Sequence, residues 1–406
     1  MVEHLVVASY AAESKEEWKT VKVGSIGKII TGKTPKTTVT ENYGGIVPFL
    51  TPSDDMDAKY VSKTSRTLSA IGVQTAKNFL LPANSVCVSC IGSDLGKVVI
   101  TTEPTVTNQQ INSIIVDTEF FDVSFVYYAM VILGKHLNVI SKASTTVPIV
   151  NKSRFSDYEI VCPPPQIQKK VASILSMLDE KIALNNQVND NLQQQLFSLY
   201  ENIAMTSPCS KEDTLSNLCD FQEGYVNPAQ THPEFFDGEV KWLRAVDINE
   251  SFITETSRTL TRAGFESAKK SALLFKPNTI AISKSGTIGR LGIIADYMCG
   301  NRAVINIAPH DANMLAYIYC FLKSKQREFP DMAVGSVQKN LYVSLLEPLS
   351  VSIPDEKSLT AFNAAGASIL DMIHNNCVEN TKLANLRDTI LPKLMSGEID
   401  VSDIQL

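Results

Sequence analysis

The sequence lacks what a membrane anchor, a secretion signal or a catalytic centre would need. No apolar run has the length that spans a bilayer, so no membrane span is expected. The opening "MVEHLVVASYAAESKEEW" carries a short apolar patch, but Glu3 and His4 stand where a secretion signal needs positive charge. A cytoplasmic protein is therefore expected. The eight cysteines are scattered, which suits a reducing compartment.

Chemistry is as sparse. Cys87 and Cys90 form a lone C-x-x-C with no second pair at metal-ligand spacing, so packing is favoured over zinc. "GSDLGKV" (92–98) resembles a phosphate loop, yet three residues separate its glycines and Val98 stands where Ser or Thr would hold magnesium. A tight inter-strand turn fits it better. The five histidines (4, 136, 232, 310 and 374) are isolated from acidic or cysteine partners at any recognised spacing, and Asp54 with Asp55 reads as a solvated loop. "CPPPQ" lacks the asparagine of an amino-methylating Asn-Pro-Pro-aromatic tetrapeptide. No glycine-rich opening loop offers a dinucleotide or S-adenosylmethionine site. We expect no catalytic residue, no metal and no cofactor bound by this chain.

Net charge is −6, but it is unevenly spread: +3 over residues 18–162, −1 over 210–353 and −8 over the remainder. The globular parts can carry a basic face even though the whole is acidic.

What the sequence does have is a repeat. "TSRTLSAIGVQTAK" (64–77) returns as "TSRTLTRAGFESAK" (256–269), and "NSVCVSCIGSDLGK" (84–97) as "NTIAISKSGTIGR" (278–290). "VPFLTPSD" (47–54) pairs with "VKWLRAVD" (240–247), and Gly32 with Gly224. One unit of about 190 residues is written twice. Each copy begins with short strand-like runs such as "SVCVSCI" or "TIAISKS", broken by Gly, Pro, Asn and Thr. A helical piece follows, then a strand, a proline stop and a long helix.

The long helices are expected at roughly 166–202 and 357–395. The first carries Val171, Leu175, Leu178, Ile182, Asn185, Asn189, Leu192, Leu196 and Leu199 at 4–3 spacing. The second carries Phe362, Gly366, Ile369, Ile373, Asn376, Asn380, Leu383, Arg387, Ile390 and Leu394, with Gly366 and Arg387 interrupting it. This 3.5-residue period marks a narrow helix–helix contact. Asparagine on such a seam costs stability unless its amide meets another polar layer, so it fixes register. Two matching layers imply that the helices pair within the chain, antiparallel, as a spacer of roughly 50 Å. Pairing with a second molecule is the other arrangement. The helix-pairing residues expected at the centre are Leu178, Ile182, Asn185, Asn189, Leu192, Ile369, Ile373, Asn376, Asn380 and Leu383.

The order of parts resembles the specificity subunit of type I restriction-modification systems. The phrases that carry the resemblance are "WKTVKVG" (18–24), "ISKSGTIGR" (282–290) and a P-P-x-x-x-Q lead-in to the first long helix at Pro163, Pro164 and Gln168. The second helix departs from that lead-in with "PDEKS". The resemblance implies an α+β fold: two mixed α/β target-recognition domains separated by two long helices packed as an antiparallel coiled coil, with pseudo-two-fold internal symmetry. The expected divisions are 1–162 and 207–353 for the recognition domains, 163–206 for the central helix, and 354–406 for the second helix and tail.

Each domain would then read one half of a split, asymmetric double-stranded DNA target. Two modification (methyltransferase) subunits would dock on the helices, and restriction subunits would join them; S-adenosylmethionine, ATP and magnesium are implied for those partners. The expected DNA-binding residues are Lys33, Lys36, Lys97, Gln109, Gln110, Lys142, Asn151 and Lys152 in the first domain. In the second they are Tyr225, Arg244, Lys284, Arg290, Asn301, Arg302, Gln338 and Lys339. Lys169, Lys170, Glu180 and Lys181, on the outer faces of the helix, are candidates for partner contact. A specificity half of another DNA-modifying assembly, and a coiled-coil adaptor that binds no DNA, are the competing readings.

Overall fold

Two large sheets, a two-stranded ribbon and a helix are built twice along the chain. The computed structural model describes residues 18–404 except 62, 93–94, 143–148 and 337. In the first copy a five-stranded sheet runs in the order Gly27–Thr31, Ile111–Val116, Val86–Ser89, Val98–Thr101, Tyr60–Val61. All its pairings are antiparallel except the last. A four-stranded sheet follows the order Thr67–Leu68, Tyr43–Leu50, Thr105–Thr107, Leu80–Leu81.

The central strands "VCVS" and "VVIT" are buried on both faces, and their alternation divides two cores. Val86, Val88 and Ile100 face helix α1, Val123–Lys142, through Phe125, Val126 and Met130. Cys87, Val99 and Ile111 face Leu50 and Leu81 of the second sheet. Helix α1 corrects one expectation: Val123–Ile140 is long and apolar enough to cross a membrane. Half of that window is buried here, with Tyr128, Met130 and Leu133 packed into the core.

Helix α2, Pro165–Thr206, follows. Its lead-in has a structural reason. Buried Gln168 donates to the carbonyls of Phe120 and Pro163 and accepts from the amide of Asp122 at 2.9 Å, tying the helix to the loop before α1.

The second copy repeats both sheets: Cys219–Glu223, Val304–Pro309, Ile280–Ser283, Leu291–Ile294, Phe252–Ile253, and Thr259–Leu260, Phe236–Leu243, Met298–Gly300, Leu274–Phe275. The parallel pairings recur at the same places. Helix α3, Leu315–Lys325, stands where α1 stood, and α4, Glu356–Met395, closes the repeat. Asp355 caps α4 by accepting from the amide of Ser358, which replaces the glutamine tie of the first copy.

The chain divides into two compact units. Unit 1 takes the residues to Glu180 and those from Ala384, and unit 2 takes Lys181–Leu383. Within unit 2 the two helices run antiparallel: Asn185 donates to Asn380 and Asn376 donates to Asn189, each at 2.8 Å. Ile369 and Ile373 are buried beside Leu192, whereas Ile182 and Leu383 are half-buried. In unit 1, Leu178 is half-buried while Val171 and Leu175 are fully buried. The seam fails at Leu199, which is 41% exposed. Past Leu196 the buried face rotates to Tyr200 and Ile203, because Tyr200 packs on Tyr317 of α3 as well as on Phe362.

Candidate nucleic-acid interface

In unit 1 the loops at one end of the five-stranded sheet converge. The amide of Lys33 donates to Thr107 O at 2.8 Å, that of Cys90 to Gln110 O at 2.7 Å, and that of Val150 to Cys90 O at 2.9 Å. The Thr34 hydroxyl donates to Gln109 Oε1 at 2.6 Å, and the Lys97 amide to Ser89 Oγ at 2.9 Å. Five of the expected residues, Lys33, Lys97, Gln109, Gln110 and Asn151, thus occur on loops gathered at one sheet end, and Lys152 opens the short helix that follows Asn151. Lys36 follows Lys33 by three residues, and the Asn42 side-chain amide donates to its carbonyl. Lys142 ends α1, and its side chain lies outside the described residues.

The chain can fold this way because of Gly32. A Cβ there would lie 2.2 Å from Thr107 O, and one on Gly224 would lie 2.2 Å from Asn301 O. Only glycine admits the two loops so close.

Unit 2 repeats three of these bonds, while Val226 rather than Tyr225 donates its amide to Gly300 O. The Lys284 amide donates to Ala303 O, the Leu341 amide to Lys284 O, and the Arg290 amide to Ser283 Oγ. Asn301 Oδ1 accepts from the Ala303 amide, as Asn108 Oδ1 accepts from Gln110 in unit 1. Tyr225, Lys284, Arg290, Asn301 and Arg302 therefore share this end, with Gln338 and Lys339 leading into Leu341. The turns connecting the neighbouring strands also match: Gly92, Gly96, Gly286 and Gly289 all have left-handed backbones. Ser93 and Asp94 lie outside the described residues; the rest of "GSDLGKV" fits the inter-strand turn expected of it.

Several side chains have local duties. Asn151 caps Lys152–Asp157 by accepting from the Arg154 amide. Lys97 is paired with Asp57 at 3.2 Å. Lys284 is only 14% exposed, donates to Glu223 at 2.7 Å and lies over the Tyr342 ring. Burial pushes the Glu223 carboxyl upward, but the hydrogen bonds from Lys284 and Tyr225 outweigh it and hold the group below its ordinary range. Lys284 thus comes to this surface already neutralised. Arg290 and Arg302 form no salt bridge among the described residues.

Arg244 stacks on Trp242, and its guanidinium donates to Ser257 Oγ at 2.6 Å. Its neighbour Asp247 holds the loop, accepting from the amides of Arg244 and Ser257. The repeat equivalent is Asp54, which corrects the solvated-loop expectation: it is 7% exposed and accepts from the amides of Thr51 and Ser65 at 2.8 and 2.7 Å. Burial raises its pKa, but these bonds prevail and hold it below the usual carboxylate range. A carboxylate with a depressed folded-state pKa stabilises fully above its unfolded value and loses that contribution as pH falls through the folded one. Asp54→Ala is expected to cost about 1–2 kcal/mol at neutral pH in urea unfolding. The two proteins should converge in stability at pH values below the carboxylate range.

Among the described residues no group of three or more His, Cys, Asp or Glu is placed to hold a metal ion. Burial pushes the Cys87 and Cys90 thiols up to about 12 and about 11, away from thiolate chemistry. The surface that remains offers amides, hydroxyls and cations on rigid loops. That set suits phosphate oxygens and base edges.

On the long helices, Lys169 and Glu180 are exposed, whereas Lys170 donates to Ser402 O and Lys181 pairs with Glu379.

Comparison with known proteins agrees along the chain. The family described as the type I restriction modification DNA specificity domain matches twice, at residues 15–194 and 210–388. The MjaIX specificity subunit of a type I restriction enzyme from Methanocaldococcus jannaschii is 25% identical over 96% of this chain and 95% of its own. The HindI specificity subunit from Haemophilus influenzae is 36% identical across 44% of this chain and 39% of its own. A crystal structure of a type I restriction-modification S subunit from M. genitalium has the same fold, with a TM-score of 0.51 at 18% identity. That match covers 95% of this chain and 98% of the other.

Proposed function

Because the chain belongs to the type I restriction-modification DNA specificity family, we propose that each unit reads one half of a split DNA target with the loop end of its five-stranded sheet. The observation that carries this is a shared frame with unlike contents. The backbone bonds that hold Gln110 and Lys97 in unit 1 recur around Ala303 and Arg290 in unit 2, and the repeat puts Tyr225 and Arg302 where unit 1 has Lys33 and Gln109. A common frame lets both halves approach a duplex alike, while different side chains give each half its own bases.

In this reading the chain supplies recognition and no chemistry. The long helices set the unread gap and carry two modification subunits, with Lys169 and Glu180 among the side chains available to them. Methyl transfer to adenine from S-adenosylmethionine belongs to those subunits, and ATP- and magnesium-dependent translocation and cleavage to the restriction subunits that join them. The assembly works in the cytoplasm, where its DNA is.

The test is co-expression with the partner methyltransferase and genome-wide mapping of adenine methylation by single-molecule sequencing. A two-part motif with a fixed gap is expected. Exchanging residues 207–353 for those of another family member should change one part and leave the other. An assembled, active complex that adds no such motif would defeat the reading.

A further inference from the structure

The longest verbatim agreement between the two copies, "TSRTL", enters the interface described so far only through Ser65 and Ser257. Its arginines, Arg66 and Arg258, occupy one environment twice. The Phe49 amide donates to Arg66 O at 3.1 Å, and the Trp242 amide to Arg258 O at 3.4 Å. Each guanidinium then lies across two rings of the four-stranded sheet. Arg66 is 5.8 Å from the Tyr43 centroid and 5.1 Å from Phe49. Arg258 is 4.2 Å from Phe236 and 5.9 Å from Trp242.

Among the described residues neither arginine forms a salt bridge, whereas Lys97, Lys241, Arg244, Arg262 and Lys284 all do. The acids that bind the preceding residue of each segment, Asp54 and Asp247, are occupied by the amides of Ser65 and Ser257. Among the described residues their one polar side-chain contact is Arg258 Nη1 to Gln230 Oε1 at 3.0 Å. An aromatic stack uses the face of a guanidinium and leaves its edge donors available, in the fork that suits a phosphate.

The platform also adjoins the interface. The next residue along each strand, Leu50 or Leu243, accepts from the amide of Asn108 or Asn301 at the sheet end. Side chains that read sequence should differ between units that read different sequences; side chains that grip the backbone should not. We propose that Arg66 and Arg258 are a pair of phosphate anchors, one per unit, that bind the DNA backbone without reading bases. The proposal rests on the DNA-reading function above.

The test uses the chain assembled with its methyltransferase subunits, titrated with a target duplex and a scrambled duplex over a range of salt. R66Q and R258Q should each bind both duplexes about tenfold more weakly, with the salt slope reduced by about one and the methylated motif unchanged. R66K keeps the charge and should restore the slope even if its melting temperature falls. Unchanged affinity and slope would overturn the proposal. So would weakening confined to the target with a relaxed motif, or an R66K variant whose slope stays reduced. If the wild-type complex shows no preference for its target, the DNA reading itself fails. If it does prefer the target while the variants keep the full slope, only the anchors fail.

Discussion

Arg387→Leu is expected to destabilise unit 1 by about 3–5 kcal/mol, although leucine would complete the heptad pattern of α4. Arg387 sits on the seam with its Nη1 donating to Asp179 Oδ1 at 2.7 Å. The Asp179 side chain is 11% exposed, and its other oxygen accepts from the Tyr128 hydroxyl at 2.5 Å. Behind it, Lys59 is 8% exposed, donates to Ser176 Oγ and lies over the rings of Tyr60, Tyr127 and Tyr128. Burial lowers the pKa of Lys59, opposed in part by Asp179, Glu180 and Asp122. Removing the guanidinium leaves a carboxylate in a poorly hydrated site without its nearest cation, which costs far more than a leucine contact returns. Urea unfolding of unit 1 in the assembled protein should show the loss. Asp179→Leu combined with Arg387→Leu should recover most of it, because no uncompensated charge remains. Equal stability of R387L and wild type would mean that solvent screens the pair.

Arg387 marks where pattern reading ends. Its seam position is plain from spacing, but its partner lies 208 residues away in sequence, and no local signal links them. The same limit hid the Lys284–Glu223 pair, 61 residues apart, and the duty of Asp54, whose clamp needs Ser65 folded back onto Thr51. What the sequence does reveal is what it states twice. The repeat predicts equivalent sheets, the glycine crossings at Gly32 and Gly224, and the pairing of Lys97 with Arg290. It would also have found Asn108, which sits 193 residues before Asn301 and plays the same part. Periodicity is reliable while one neighbour sets the buried face. It fails at Leu199, where α3 joins the helix pair and moves the face to Tyr200.

The asparagine layers answer to a different balance. Asn189→Leu alone should cost about 1–3 kcal/mol, because the Asn376 amide loses the acceptor it meets at 2.8 Å and stays half-buried. Asn189→Leu with Asn376→Leu should regain that loss and exceed wild type, since leucines pack on the buried Ile373 without desolvating amides. A double-mutant cycle in denaturant would measure the coupling, and values that simply add would show that the two amides act independently. The regained stability should cost register. The neighbouring layer, in which Asn185 donates to both Asn380 and Glu379, tolerates one alignment of the helices. A leucine layer accepts neighbouring alignments with little penalty. Disulfide trapping between cysteines placed one heptad out of register should therefore succeed in the double variant and fail in wild type. In the proposed reading, where the helices set the gap between the half-sites, the asparagines would be retained for the fixed length they impose, at some expense of stability.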